Sequence, residues 1–145
     1  MSRINYGKVA PNAVKLLMKL EEYKKEAGIQ EELIHLCKIK ASQLNKCAFC
    51  INMHTQEALK AGETEQRIYC LQAWQETSIY SDKEKAVLAL TEAVTLISVD
   101  GVPDKVYEDV RVYFDEKETI DLIMIIITIN SWNRLSIANR NIVSR

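Results

Sequence analysis

Asp115-Glu-Lys-Glu-Thr-Ile-Asp-Leu-Ile-Met-Ile-Ile-Ile-Thr-Ile129 is the stretch on which the fold class turns. Asp115 precedes Glu118 by three positions, the spacing of a capping box. The aspartate oxygen accepts from the backbone N–H three residues on, and the glutamate reaches back to the cap. From Ile120 to Ile129 the side chains are apolar on nearly every face, so a helix here is expected to be buried all round. It should run from Glu116 to about Asn141. Its uninterrupted apolar part, Leu122 to Ile127 and on through Thr128 to Ile129, falls short of the ~20 residues of a membrane span. It reads as a core helix. A small bundle has little room for a helix buried on every side, so part of this one is expected to pack on a second subunit of an obligate oligomer.

The same helical spacing recurs outward from this stretch, and no period-two strand interrupts it. Four glycines and two prolines in 145 residues leave few turns. The expected architecture is an all-α bundle of about six to seven helices in a single domain, 1–145. A first helix follows Pro11 and ends before Gly28. A second runs from Gln30 to Leu44. A third carries the cysteines and stops at Gly62. A fourth runs from Thr64 to about Trp74. The fifth starts at Ser81-Asp-Lys-Glu84, a second capping box, and continues to about Ser98, burying Val87, Leu90 or Leu88, Val94 and Ile97. A sixth runs from Pro103 to about Phe114.

Composition narrows the function. Charged residues make up 27 % of the chain and the formal net charge is −1. No run of like charge favours nucleic acid or an anionic membrane as partner. The N-terminal residues Met1 to Tyr6 lack the apolar stretch of a signal peptide. A cytoplasmic location is therefore expected, where close cysteine pairs serve catalysis or metal binding more often than stability.

Two of the four cysteines form such a pair, in Cys47-Ala-Phe-Cys50-Ile-Asn-Met-His54. On a helix, positions i, i+3 and i+7 share a face, so Cys47, Cys50 and His54 should converge. Two cysteines at this spacing lie within disulfide range. The loop they close is short, so the bond adds little stability and suits reversible opening. A helix start, adjacent Lys46 and nearby Lys40 all favour a thiolate at this point. His54 can take its proton. Cys37 and Cys70 lack a partner motif and are assigned to core packing. Trp132 reads as core or interface. Asn130, Asn133 and Arg134 are not placed in the active site; the two asparagines are expected either to bond across a subunit boundary or to face the thiol pocket, and Arg134 to pair with an acidic residue in the same way.

The stretch Ser42-Gln-Leu-Asn-Lys-Cys-Ala-Phe-Cys-Ile-Asn-Met-His54 resembles the signature of the alkylhydroperoxidase-D-like (AhpD-like) branch of the carboxymuconolactone decarboxylase superfamily. So do Ala61-Gly-Glu-Thr-Glu-Gln-Arg67, Ala73-Trp74 and Ile129-Asn-Ser-Trp-Asn-Arg134. The likeness runs from about Tyr6 to Arg140. It implies an all-helical subunit, assembly into dimers, trimers or hexamers, and reduction of a hydroperoxide substrate by the cysteine pair without a cofactor. By resemblance Cys50 is the peroxidatic thiol, Cys47 the resolving thiol and His54 part of a proton relay. The reductant it implies is a dithiol protein, thioredoxin-like or lipoyl-bearing. Family members that decarboxylate a lactone lack the cysteine pair, so that reaction is not expected. Two positions depart from the pattern. A glutamate usually stands twelve residues before the first cysteine; here it is His35, with Glu32 one turn earlier. A glycine usually precedes the first cysteine; here it is Lys46. His35 can itself exchange protons near neutral pH and is retained as a relay candidate. It also opens an alternative, a zinc set of Cys47, Cys50, His54 and His35. A further alternative is a non-catalytic oligomeric helical module limited to thiol–disulfide exchange.

Overall fold

The computed structural model describes residues 2–143, so Met1, Ser144 and Arg145 of the expected domain lie outside the described residues. Among the described residues nine α-helices follow one another: α1 (Tyr6–Val9), α2 (Pro11–Glu22), α3 (Glu31–Leu44), α4 (Ala48–Lys60), α5 (Glu65–Cys70), α6 (Asp82–Thr95), α7 (Ile97–Asp100), α8 (Asp104–Arg111) and α9 (Glu116–Ala138). Short 3-10 segments, Tyr23–Lys25 and Leu71–Glu76, extend α2 and α5. No strand occurs among the described residues. The expected all-α class holds, with more and shorter helices than the periodicity suggested.

Helix α3 is the central element because two of its faces are apolar. Leu33, Ile34 and Cys37 pack with Val87 and Leu90 of α6, Val110 of α8, and Leu122, Ile125 and Ile126 of α9. Leu36 and Ile39 face the other way, onto Ala58 of α4, Ile68, Leu71, Trp74 and Leu88. A fully buried residue of this kind contributes on the order of 1.5–3 kcal/mol. Burial also keeps the Cys37 thiol protonated and inert: desolvation pushes its pKa up to about 11, even though the Thr91 hydroxyl points at the sulfur.

Both capping boxes form. Ser81 and Glu84 close the start of α6, and Asp115 and Glu118 the start of α9. The ends differ from expectation. Helix α6 stops at Thr95, its last buried residue, because Leu96 leaves helical geometry (φ −100°, ψ 35°). The chain restarts as α7, so Ile97 is exposed rather than buried. Pro103 sits at the N-cap of α8 rather than within its first turn. Gly28 has no left-handed backbone, and α2 ends instead by tightening into the 3-10 turn.

Helix α9 threads the bundle, but it is not buried on every face. Leu122, Ile125, Ile126 and Ile129 are inside, whereas Ile120, Ile127 and Ile137 are exposed. By length and composition alone it is long and apolar enough to cross a membrane, which the apolar run by itself did not suggest. Its buried polar residues mark it as a core helix. The Asp121 carboxylate accepts from the Tyr23 hydroxyl at 2.6 Å and from Lys117 at 2.5 Å. Asn45, just beyond α3, donates to Asn130 and Asn133, each at 2.9 Å. Asn133 donates to Ser42, and Asn130 to Thr95, each at 3.0 Å. Arg134 donates to the Asn130 side chain at 2.7 Å, not to an acid. These partners all lie within the one chain. Their effect is to clamp the α3–α4 turn, which carries Cys47, onto α9.

Candidate active site

The turn that delivers the cysteines is built from a helix ending and a helix beginning. Lys46 takes a left-handed conformation (φ 59°). The N–H of Lys46 donates to Gln43 O at 3.1 Å, and that of Cys47 to Ser42 O at 3.0 Å. This pair of bonds is a Schellman motif, whose left-handed residue is most often glycine. Helix α4 ends in the same motif with a glycine, Gly62 (φ 102°). Lys46→Gly removes the steric cost of a Cβ at positive φ and gives back part of it as unfolded-chain entropy. A net gain of about 0.5–1 kcal/mol is expected, read as a rise of a few degrees in melting temperature.

Cys47 then caps α4. Its Sγ accepts from the Cys50 N–H at 3.3 Å, and the two sulfurs are joined in a disulfide with Cα atoms 5.3 Å apart. Both cysteines are buried, each 2 % exposed. They are nonetheless not equivalent. Cys50 lines a cleft of about 380 Å³, and Cys47 does not. The cleft walls are mostly apolar, from Met18, Phe49, Met53 and Trp132.

His54, one turn beyond Cys50, lines the same cleft and is buried. Its Nδ1 lies 2.8 Å from the Glu57 carboxylate. A carboxylate only accepts, so Nδ1 carries the proton and Nε2 of the neutral ring keeps a free lone pair. Burial holds the imidazole below its ordinary pKa of 6.5. Hydrogen bonding to Glu57 works against that shift, and the charge of Lys38 reinforces it. The site thus holds a neutral base at pH 7 next to a redox-capable sulfur pair.

Residues 11–93 match the carboxymuconolactone decarboxylase family, which covers more than half of the chain. The protein belongs to that family. YdfG of Bacillus subtilis (strain 168), an uncharacterised protein, is 52 % identical over 139 residues, covering 96 % of this chain and 95 % of YdfG. The crystal structure of ATU0492 from Agrobacterium tumefaciens superimposes with a TM-score of 0.96 at 38 % identity, over 100 % of this chain and 99 % of that one. ATU0492 is a protein of unknown function with a provisional link to antioxidant defence as AhpD. These likenesses place the chain in the AhpD-like branch. The debrominase Bmp8 shares the fold alone, at a TM-score of 0.82 and 18 % identity over 92 % of this chain and 72 % of Bmp8.

Against the family pattern, the structure brings three of the four expected site residues together and leaves one apart. Cys47, Cys50 and His54 share the first turns of α4. His35 on α3 does not line the cleft. Its ring nitrogens are buried without a hydrogen-bond partner, the nearest acid being Glu31, 3.6 Å from Nε2. Glu32 is exposed. Among the described residues no three His, Cys, Asp or Glu side chains form a metal-sized group, so the zinc set is not assembled.

The lysines picked from proximity in sequence also sit elsewhere. Lys46 is exposed in the turn, and fully buried Lys40 pairs with Glu92 at 3.2 Å, where Trp74 Nε1 also donates. The cleft's buried cation is Lys38, bonded to Glu21 of α2, with the more exposed Lys24 beside it. Sequence reading missed Lys38, Glu21, Glu57 and Trp132 in this cleft. The three-residue offset of Glu57 from His54 was readable on one helix. Glu21, seventeen residues before Lys38, left no local signal. Trp132 stands one turn before Ser136, whose buried hydroxyl lines the cleft without a partner.

Proposed function

We propose that this protein is a thiol-dependent peroxidase that reduces hydroperoxides by cycling Cys47 and Cys50 between dithiol and disulfide. The observation that carries this reading is the asymmetry of the pair: Cys50 opens on an apolar cleft beside the neutral ring of His54, while Cys47 lies behind it. His54 takes the Cys50 proton, acting as a positioned general base. The thiolate attacks the terminal oxygen of ROOH. An S–O bond forms, the O–O bond breaks, and RO⁻ leaves with the proton held by His54 as ROH. The Cys47 thiolate then attacks the sulfenic sulfur, hydroxide leaves as water on protonation, and the disulfide forms. An external dithiol, thioredoxin-like or lipoyl-bearing, returns two electrons and two protons. The relay relies on His54 with Glu57 rather than on His35, since Glu57 is hydrogen-bonded to the ring.

The protein is also proposed to work as a homo-oligomer, with the exposed isoleucines of α9 in the subunit contact. The sulfur chemistry is tested by mass spectrometry of the reduced protein before and after one equivalent of cumene hydroperoxide. Loss of about 2 Da, the two thiol hydrogens given up on disulfide formation, is expected at the Cys47–Cys50 peptide, with one equivalent of cumyl alcohol. Unreacted thiols at residues 47 and 50 after prolonged exposure would sink the proposal.

A further inference from the structure

The cleft contains a buried cation that the chemistry above leaves idle. The Lys38 side chain is 4 % exposed and is bonded to the Glu21 carboxylate, which Lys24 also contacts at 3.0 Å. A charge pair at this depth loses hydration, and close pairing only offsets that loss. Holding α2 against α3 does not require it, because an apolar pair would serve. What an ammonium in this place does uniquely is act on an anion formed in the same cleft. Lys38, Cys50 and His54 line one cleft, so the anion that forms there is the reduced Cys50 sulfur.

We infer that Lys38 is the cation that holds reduced Cys50 as its thiolate, and that Glu21 sets how much of that positive charge the sulfur receives. Lys38 is thus a positioning residue and not a catalytic one. The inference rests on Cys50 as the attacking sulfur. The other titratable groups facing the cleft are Tyr6 of α1, Lys24 of the 3-10 turn, and His54 and Glu57 of α4; α9 supplies only Trp132 and Ser136. Glu57 is engaged by His54. That leaves the Glu21–Lys38–Lys24 group as the source of net field at the sulfur. Glu21 is ionised: burial alone raises its pKa, but the two lysines outweigh that and hold it below the ordinary range.

The two members of the pair have opposite signs, which makes the test sharp. In reduced Cys47→Ser protein the Cys50 thiolate displaces iodide from iodoacetamide, and the rate against pH gives the thiol midpoint without any peroxide turnover. Adding Lys38→Met should raise that midpoint by about one pH unit or more, cutting the rate at pH 7 by roughly tenfold. Adding Glu21→Gln should lower it, because the sulfur no longer competes with a carboxylate. Lys38→Arg should restore the parental profile. Mapping of the label to Cys50 and unchanged circular dichroism accompany each measurement, and Glu21→Gln, at a partly exposed site, keeps the test open where Lys38→Met fails to fold. A midpoint unmoved by either change, or moved the same way by both, overturns the inference. Because alkylation needs no hydroperoxide, such a failure is distinct from a lack of peroxidase activity.

Discussion

Cys50→Ser is expected to lower hydroperoxide turnover by at least roughly a thousandfold, the scale on which loss of a nucleophile is felt. Cys47→Ser is expected to behave differently. It should complete one chemical step per subunit and then stop as a Cys50 sulfenic acid that dimedone captures. The difference follows from placement. Both sulfurs are equally buried, but only Cys50 borders the cleft, and Cys47 is turned inward to cap α4. Stopped-flow consumption of hydroperoxide, with labelled sulfenic acid counted by mass spectrometry, separates the two. A Cys50→Ser protein that retains a burst of one peroxide per subunit would reverse the assignment. A Cys47→Ser protein that turns over steadily would remove the need for a resolving thiol.

The second large effect concerns His54. His54→Gln keeps a polar side chain of similar size but cannot take a proton. The expected loss in kcat/KM is about 10²- to 10³-fold, within the range for a positioned general base. Its pH dependence has a definite sign. Burial, the largest influence, favours the neutral ring and holds the pKa below 6.5. The wild-type rate should therefore stay level through neutrality and fall only as pH drops through that depressed value, below 6.5. The acid limb should vanish in His54→Gln. The same group contributes to stability in the same direction. Its share is fully present above pH 6.5, the unfolded value, and is lost as pH falls through the folded one. A wild-type acid limb centred above 6.5, or one that persists in His54→Gln, would exclude the imidazole as the base.

What was legible in the sequence was what depends on short separations. The two capping boxes, each a four-residue pattern, formed where the spacing put them. The Cys50 and His54 spacing put both residues on one wall of the cleft, because both belong to α4, with Cys47 at its cap. Long apolar periodicity gave the class and the course of α3 and α9. What failed to show were interruptions and cross-chain pairings. Nothing in the local pattern says that α6 stops at Thr95, its last buried residue, which accepts a hydrogen bond from Asn130 of α9. The carboxylate of Glu21 reaches Lys38 across two helices, and proximity in sequence pointed to Lys40 and Lys46 instead. His35 shows the limit of reading by position in a family pattern. It occupies the place of the relay glutamate, yet its ring is outside the cleft lining. The departure at Lys46 was visible as a letter, but its meaning, a side chain forced to positive φ at a helix end, needed the backbone.

Cys47 has two duties at once, as helix cap and, in the proposed cycle, as redox partner. Both sulfurs lie within the first turn of α4, whose entry is pinned by the bond from the Cys47 N–H to Ser42 O and by Asn45 on α9. In the proposed cycle electrons therefore enter and leave at a turn held by these bonds. A disulfide that tied distant segments would refold a loop on every cycle. In the proposed cycle both sulfurs react on one short turn, so bond making at sulfur rather than rearrangement of the chain is expected to set the barrier to each round.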